Sequence, residues 1–394
     1  MIYNFDEIVN RRGSGSYKWD SADGDGVIPL WVADMDFRTA PQVLDALRRR
    51  VEHGVFGYTS VGKDYYDALT RWFAEHHAYN INPERVIYTS GVVPAISAII
   101  KALVAPGEGV IVQTPVYNCF FSSIRNNGCA IVESPLRRVD VDDTTFTYEP
   151  DFDDLERLAA RPDVTLLLLC NPHNPAGRAW REDELMRVAD ICRRHNVRVV
   201  SDEIHCELTM PGYRYVPYGE VDRRVNGTSQ AVVCVSPSKA FNIAGLQIAN
   251  IVCPDADVQA KIDKAININE VCDVNPFGVE ALKAAYTPEG MCWLNELRTY
   301  LWENYLYLKE RFATELPQCP ITRLEATYLP WVDVTATGKP AAEIEEVLKS
   351  QWGVWVNSGD MYGVDGFIRI NIATSRALLS EGLSRVISGL KSML

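Results

Sequence analysis

The segment Ala231-Val232-Val233-Cys234-Val235-Ser236-Pro237-Ser238-Lys239-Ala240-Phe241-Asn242 decides how this chain is read. Its first five residues are apolar without polar alternation, the pattern of a strand buried on both faces of a sheet. The strand runs into two serines, a proline and a lysine. A lysine placed there is poorly explained as a solubilising surface charge. It suits an amine that must meet an aldehyde, with two hydroxyls nearby to hold an anionic group.

Outward from this segment, from about residue 41 to 275, one unit recurs: a short apolar strand, a polar loop, an amphipathic helix. Strands are predicted at 85–88, 110–113, 130–133, 165–170, 197–200, 231–235 and 248–253. Their apolar continuity predicts a mostly parallel sheet covered by helices, a three-layer α/β/α unit. Before it, residues 1–36 are rich in Gly, Asp and Arg and read as an extended arm, followed by a helix at 41–51. After about 277 a long helix, 277–316, is broken at Thr287-Pro288-Glu289-Gly290. A smaller α+β unit follows: strand 326–333, helix 341–351, strand 367–372 and a helix at 376–394. The expected division is an arm at 1–36, a large domain at 37–276 and a small C-terminal domain at 277–394. A chain of 394 residues is long enough for more than one core.

Bulk composition excludes several classes of function. A net charge of −13 argues against nucleic acid, because counterion release needs clustered Lys and Arg. The one basic run, Arg48-Arg49-Arg50, falls on a helix and reads as a solvated face. Ten cysteines are scattered singly with no C-x-x-C pair, so thiols are expected, not disulfides or a zinc site. The six histidines lack ligand spacing, and the acidic, glycine-rich stretch 20–26 misses calcium-loop spacing and reads as a turn, so no metal is expected. The first residues are acidic, unlike a secretory signal, and no apolar run is long enough to span a bilayer. The expected location is the cytoplasm, with no membrane partner.

In open α/β sheets, ligands bind at the carboxyl ends of the strands. After 85–88 come Ser90, Gly91 and Val92 at a helix start, where free N–H groups can hold an anion. Gly91 is read as permitting a tight turn there. After 110–113 comes Tyr117, an aromatic ring at the rim. After 165–170 the run Asn171-Pro172-His173-Asn174-Pro175-Ala176-Gly177 presents Asn174, suited to hydrogen-bond a phenolate oxygen. After 197–200 comes Asp202, whose emergence from an apolar strand costs desolvation unless a cation meets it. Taken alone, Asp202 serves equally well as a helix N-cap, and Tyr117 and His205 as packing residues. Lys239 with Ser236 and Ser238 completes the set. An anion cradle, a stacking ring, a phenolate partner, a pyridinium partner and an imine-forming amine together match the needs of pyridoxal 5'-phosphate (PLP).

On these residues the chain resembles, over its whole length, the aspartate-aminotransferase-like fold of PLP enzymes (fold type I). Within that group it is similar to the MalY/PatB-type cystathionine β-lyases, or C–S lyases. The closer likeness rests on Pro29-Leu30-Trp31-Val32-Ala33-Asp34-Met35-Asp36-Phe37, Gly57-Tyr58-Thr59, Asn171-Pro172-His173-Asn174-Pro175, Asp202-Glu203-Ile204-His205 and Ser238-Lys239-Ala240-Phe241-Asn242. The resemblance implies that Lys239 holds the cofactor and moves protons, Asp202 pairs with its ring nitrogen, and Asn174 with its ring oxygen. It implies that Tyr117 stacks on the ring, that Gly91, Val92, Ser236 and Ser238 hold the phosphate, and that His205 lies in the cofactor site. Tyr58 would reach the neighbouring subunit's phosphate in a homodimer with shared sites. Arg369 would bind the α-carboxylate of an amino-acid substrate, with Tyr58 and Asn174 beside it. Many aminotransferases of this fold carry a second phosphate-binding arginine eight residues after the lysine; here Gln247 stands there, as in the lyase branch.

The expected reaction is removal of the Cα proton by Lys239 and expulsion of a thiolate from Cβ. Cystathionine or another S-substituted cysteine would give a thiol, pyruvate and ammonia. Two rival readings remain: an aminotransferase using the same cofactor, and a PLP-bound protein with a regulatory partner. Selectivity for the sulfur substituent is expected from the arm near 31–37 and from Tyr328.

Overall fold

In the computed structural model, residues 2–394 are described apart from 23, 25, 271 and 272. Asp23 and Asp25 of the turn expected at 20–26, and Cys272 among the cysteines, lie outside the described residues. The major sheet has seven strands in the order Val86–Thr89, Ala249–Val252, Val232–Val235, Arg198–Asp202, Val164–Cys170, Gly109–Val112 and Ala130–Glu133. Ala249–Val252 is antiparallel to both neighbours and the remaining pairs are parallel. All seven strands fall where apolar continuity predicts them, within one or two residues.

Alternate residues of these strands enter two separate cores. Leu167, Leu169, Val199, Val233 and Val235 pack on one face, with Leu185, Val188 and Leu155 of the covering helices. Leu166, Leu168, Val200, Val232 and Cys234 pack on the other, with Ile96, Ile99 and Phe120. Both faces are dry, which is why these strands carry no polar alternation. The sheet is the middle layer of an α/β/α sandwich.

A second, six-stranded sheet runs in the order Asn357–Ser358, Phe367–Arg369, Trp331–Asp333, Ile321–Thr322, Thr145–Glu149 and Arg137–Asp142. The hairpin 137–149 lies in the stretch expected to belong wholly to the large domain. It instead pairs in parallel with Ile321–Thr322 and extends the C-terminal sheet. The strand expected at 326–333 is shorter: Ala326 makes an isolated bridge to Thr209, and the ladder runs over Trp331–Asp333. Thr327 takes a left-handed φ of 73°, and Pro330 has no N–H to donate.

The long helix breaks where expected, into Pro276–Ala285 and Pro288–Glu315. The Thr287 hydroxyl caps the second by accepting from Gly290 N–H, and Pro288 fills its first turn. The arm is less irregular than its composition suggests. It contains a helical turn at Tyr17–Asp20 and a strand, Ile28–Pro29, that pairs in parallel with Val354–Trp355. It is pinned by a buried ion cluster: the fully buried Lys18 reaches Asp36 at 3.0 Å, and Arg11 reaches Asp34 at 2.6 Å and Asp36 at 2.8 Å. The arm then crosses the ends of both sheets.

Candidate active site

One cavity of about 490 Å³ opens where the carboxyl ends of the parallel strands face the arm and the second sheet. Of the residues singled out in the sequence, Gly91, Val92, Tyr117, Asn174, Asp202, His205, Ser238, Lys239 and Arg369 all line it.

Lys239 follows the strand Val232–Val235, and its ammonium donates to the Ala33 carbonyl at 2.7 Å. Burial lowers its pKa, with Arg369 adding to the effect and Asp34 opposing it. A larger neutral fraction makes it a better nucleophile and base. Asp202 ends its strand 3% exposed, and its carboxylate accepts one backbone hydrogen bond, from Ile204 at 3.1 Å. No cationic side chain among the described residues pairs with it. Burial and the neighbouring Glu203 therefore push its carboxyl up to about 7. A protonated ring nitrogen is the partner this carboxylate lacks.

The loop after Val164–Cys170 is held from both sides. Asn171 donates to Glu203 at 3.1 Å and to the Val216 carbonyl at 2.9 Å. His173 Nε2 donates to the Pro115 carbonyl at 2.8 Å, since that oxygen can only accept. These bonds fix Asn174, whose Oδ1 accepts from Arg369 Nη1 at 3.1 Å. Arg369 is itself 3% exposed. Its Nη2 donates to the Trp31 carbonyl at 2.9 Å, its guanidinium lies 4.8 Å over the Tyr362 ring, and its Nε has no partner. A buried cation holding only neutral oxygens is suited to a carboxylate.

The helix Val92–Leu103 points its N-terminus into the cavity. No side chain caps it, so the first-turn N–H groups of Val92 and Val93 are open to an anion. The tight turn expected at Gly91 uses no conformation special to glycine: at φ 167° its backbone is extended, and an added Cβ would touch only Pro94, at 3.4 Å. The Ser238 hydroxyl lines the same end. Ser236 does not line the cavity: its buried hydroxyl sits 2.6 Å from the Ile248 carbonyl and 2.9 Å from Ser238 Oγ. It orients Ser238 and leaves the cavity to it.

His205 is 3% exposed with Nδ1 unpartnered, and burial, Lys239 and Arg369 depress it to about 3, so it is neutral. Tyr117 lines the wall at the start of the helix Asn118–Asn126, its phenol raised well above the usual range by burial and by Cys119. Tyr58 is 98% exposed and stands away from this cavity. Tyr328, expected at the mouth, is fully buried and supports the arm by donating to the Ala33 carbonyl at 2.9 Å. Ile204, Cys119, Met361 and Tyr362 also line the cavity and were not singled out in the sequence. Ile204 follows Asp202 by two residues and was findable; Met361 and Tyr362 arrive on the turn Gly359–Tyr362 through tertiary folding alone.

The set fits pyridoxal 5'-phosphate on three counts in this structure: an uncompensated buried carboxylate, an uncapped helix N-terminus and a lysine whose pKa burial lowers. The comparisons agree. Residues 25–386 match the family described as aminotransferase class I and II. The chain is 39% identical to cystathionine beta-lyase PatB of Bacillus subtilis over 97% of its own length and 98% of that protein. It is 31% identical to protein MalY of Escherichia coli, covering all of both chains. Cystalysin from Treponema denticola, solved with pyridoxal 5'-phosphate, superposes with a TM-score of 0.94 at 32% identity over both whole chains.

Proposed function

The chain belongs to the aminotransferase class I and II family, and from that premise we propose that it is a PLP-dependent carbon–sulfur β-lyase. Its substrates are cystathionine or other S-substituted cysteines, cleaved to a thiol, pyruvate and ammonia. The carrying observation is the convergence of Lys239, Asp202, Asn174 and Arg369 on one cavity. Full-length similarity to a protein named as a cystathionine β-lyase directs that inventory toward elimination. Gln247, where many aminotransferases carry arginine, points the same way.

Bound PLP supplies the electron sink for the pair left when Cα–H breaks. Arg369 holds the substrate α-carboxylate and orients Cα, and Lys239 Nζ takes the Cα proton. General base catalysis of this kind contributes on the order of 10²–10⁴-fold. Asp202 would pair with the ring nitrogen, Asn174 would meet the ring oxygen, and Tyr117 would stack on the ring. Val92 and Val93 N–H groups and the Ser238 hydroxyl would hold the phosphate. His205, neutral and with Nδ1 unpartnered, would offer a hydrogen bond to the cofactor.

The functional unit is a homodimer with shared sites: Tyr58 projects with the exposed Val55 and Phe56, an apolar tip that a second copy covers. We place the protein in the cytoplasm. No helix of the described residues is long and apolar enough to cross a membrane, and the nine described cysteines are free thiols, which suits a reducing compartment.

The decisive experiment offers the purified, PLP-loaded protein L-cystathionine without any keto acid. Thiol and pyruvate are expected in equal amounts. Amino transfer that appears only on adding a keto acid, without thiol, would replace the lyase reading with an aminotransferase.

A further inference from the structure

We infer that this site selects cysteines whose sulfur carries an uncharged, apolar or aromatic group, and that cystathionine is a disfavoured member of its substrate class. The inference rests on the lyase reading and adds which thioether the wall accepts. Among the described residues, the cavity is lined by three charged side chains: Lys239, Asp202 and Arg369. Each already has a task, with the proton, the ring nitrogen and the α-carboxylate. Cystathionine carries a second ammonium and a second carboxylate at the far end of its sulfur substituent, and no charge that this chain places in the wall remains to meet either.

The surface beside Arg369 is aromatic and sulfur-bearing. Trp31, whose carbonyl Arg369 holds, and Tyr362, beneath its guanidinium, both line the cavity, together with Tyr17, Met361 and Cys119. The Trp31 indole is stacked on Trp355 with centroids 3.9 Å apart and an interplanar angle of 12°, and Tyr17 leans on it at 5.2 Å. Lys349 places its ammonium 4.0 Å over Trp355. Since Trp31 takes one face of that indole, Lys349 takes the other, behind two rings as seen from the cavity. Tyr17 and Met361 are exposed, so this wall reaches the open end of the cavity.

A charged terminus laid along such a wall loses hydration without a counter-charge. A neutral chain gains there, one methylene in an apolar pocket being worth roughly 10–200-fold in selectivity. The two effects act in the same direction.

The test compares kcat/KM for thiol release from S-butyl-L-cysteine and L-cystathionine, using the PLP-loaded enzyme. The two substituents share a four-carbon chain and differ chiefly in the terminal charges. S-butyl-L-cysteine is expected to be favoured by about tenfold or more. Met361→Lys, which puts an ammonium at the open end, is expected to narrow that ratio severalfold; an unchanged ratio in the folded variant would count against the wall as its origin. Thiol from both substrates with cystathionine equal or preferred would overturn the inference and leave the lyase intact. No thiol from either would overturn both.

Discussion

Arg369 and Asn174 are joined by a 3.1 Å hydrogen bond from guanidinium to side-chain oxygen. One residue ends a strand of the small sheet, and the other stands in the loop after a strand of the large sheet. On the proposed reading, the bond would couple the group that grips the substrate carboxylate to the group that meets the cofactor's ring oxygen. Replacing Arg369 by Lys removes the planar fork while keeping the charge. The expected loss is about 1.5–3 kcal/mol of binding, or roughly 10- to 150-fold in kcat/KM. Steady-state kinetics should show it mainly in KM, with the cofactor's visible absorbance retained.

Lys239→Ala should abolish turnover while the folded protein still takes up PLP through its phosphate and ring contacts. Borohydride reduction followed by peptide mapping checks the assignment. Label on the peptide containing residue 239 is expected in the parent protein and none in the variant.

Asp202 and Glu203 are adjacent buried carboxyls, both pushed up to about 7, with burial the leading cause. The folded protein then binds protons that the unfolded chain has released. Their contribution to stability is complete below about pH 4 and is lost as pH rises through about 7. Calorimetry of the cofactor-free protein should show stability declining across that window from these groups. Asp202→Asn should flatten the decline; an unchanged slope would mean the two carboxyls do not carry it.

The proposed homodimer with shared sites makes a prediction about mixtures. On that proposal Lys239→Ala and Tyr58→Ala would each disable every site in their own dimers. Unfolded together and refolded, they form hybrids in which one site contains neither substitution. Activity should return on mixing, and its absence would separate Tyr58 from the neighbouring site.

Lys18 is fully buried and paired with Asp36 at 3.0 Å. Lys18→Ala leaves that carboxylate short of one cation and should cost about 3 kcal/mol in denaturant unfolding. The arm should also become the first point of proteolytic cleavage.

The legible part of this molecule is the part whose physics is local. Strands such as 164–170 are apolar because both faces are dry, and helix breaks such as Thr287-Pro288 carry their own capping chemistry. The strand ends could be read as one site because a parallel sheet brings them together. The hairpin 137–149 has alternating, largely polar outer residues and was missed, since its partners lie far along the chain. Ser236 and Ser238 look equivalent in sequence, yet only folding shows one bonded to Ile248 and the other facing the cavity. Gly91 suggested a tight turn by residue type alone, and its extended φ shows no need for glycine there.

Arg369 and Trp31 meet across 338 residues of sequence. On a ribosome adding 5–20 residues per second, the arm waits roughly 15–70 s for its partner strands to be made. Until then Trp31 lacks Arg369 and the Trp355 ring, while the Lys18 cluster already has its partners Asp34 and Asp36 within the arm itself. The pocket is closed by segments made at widely separated times, and it comes into being only after Arg369 has been added.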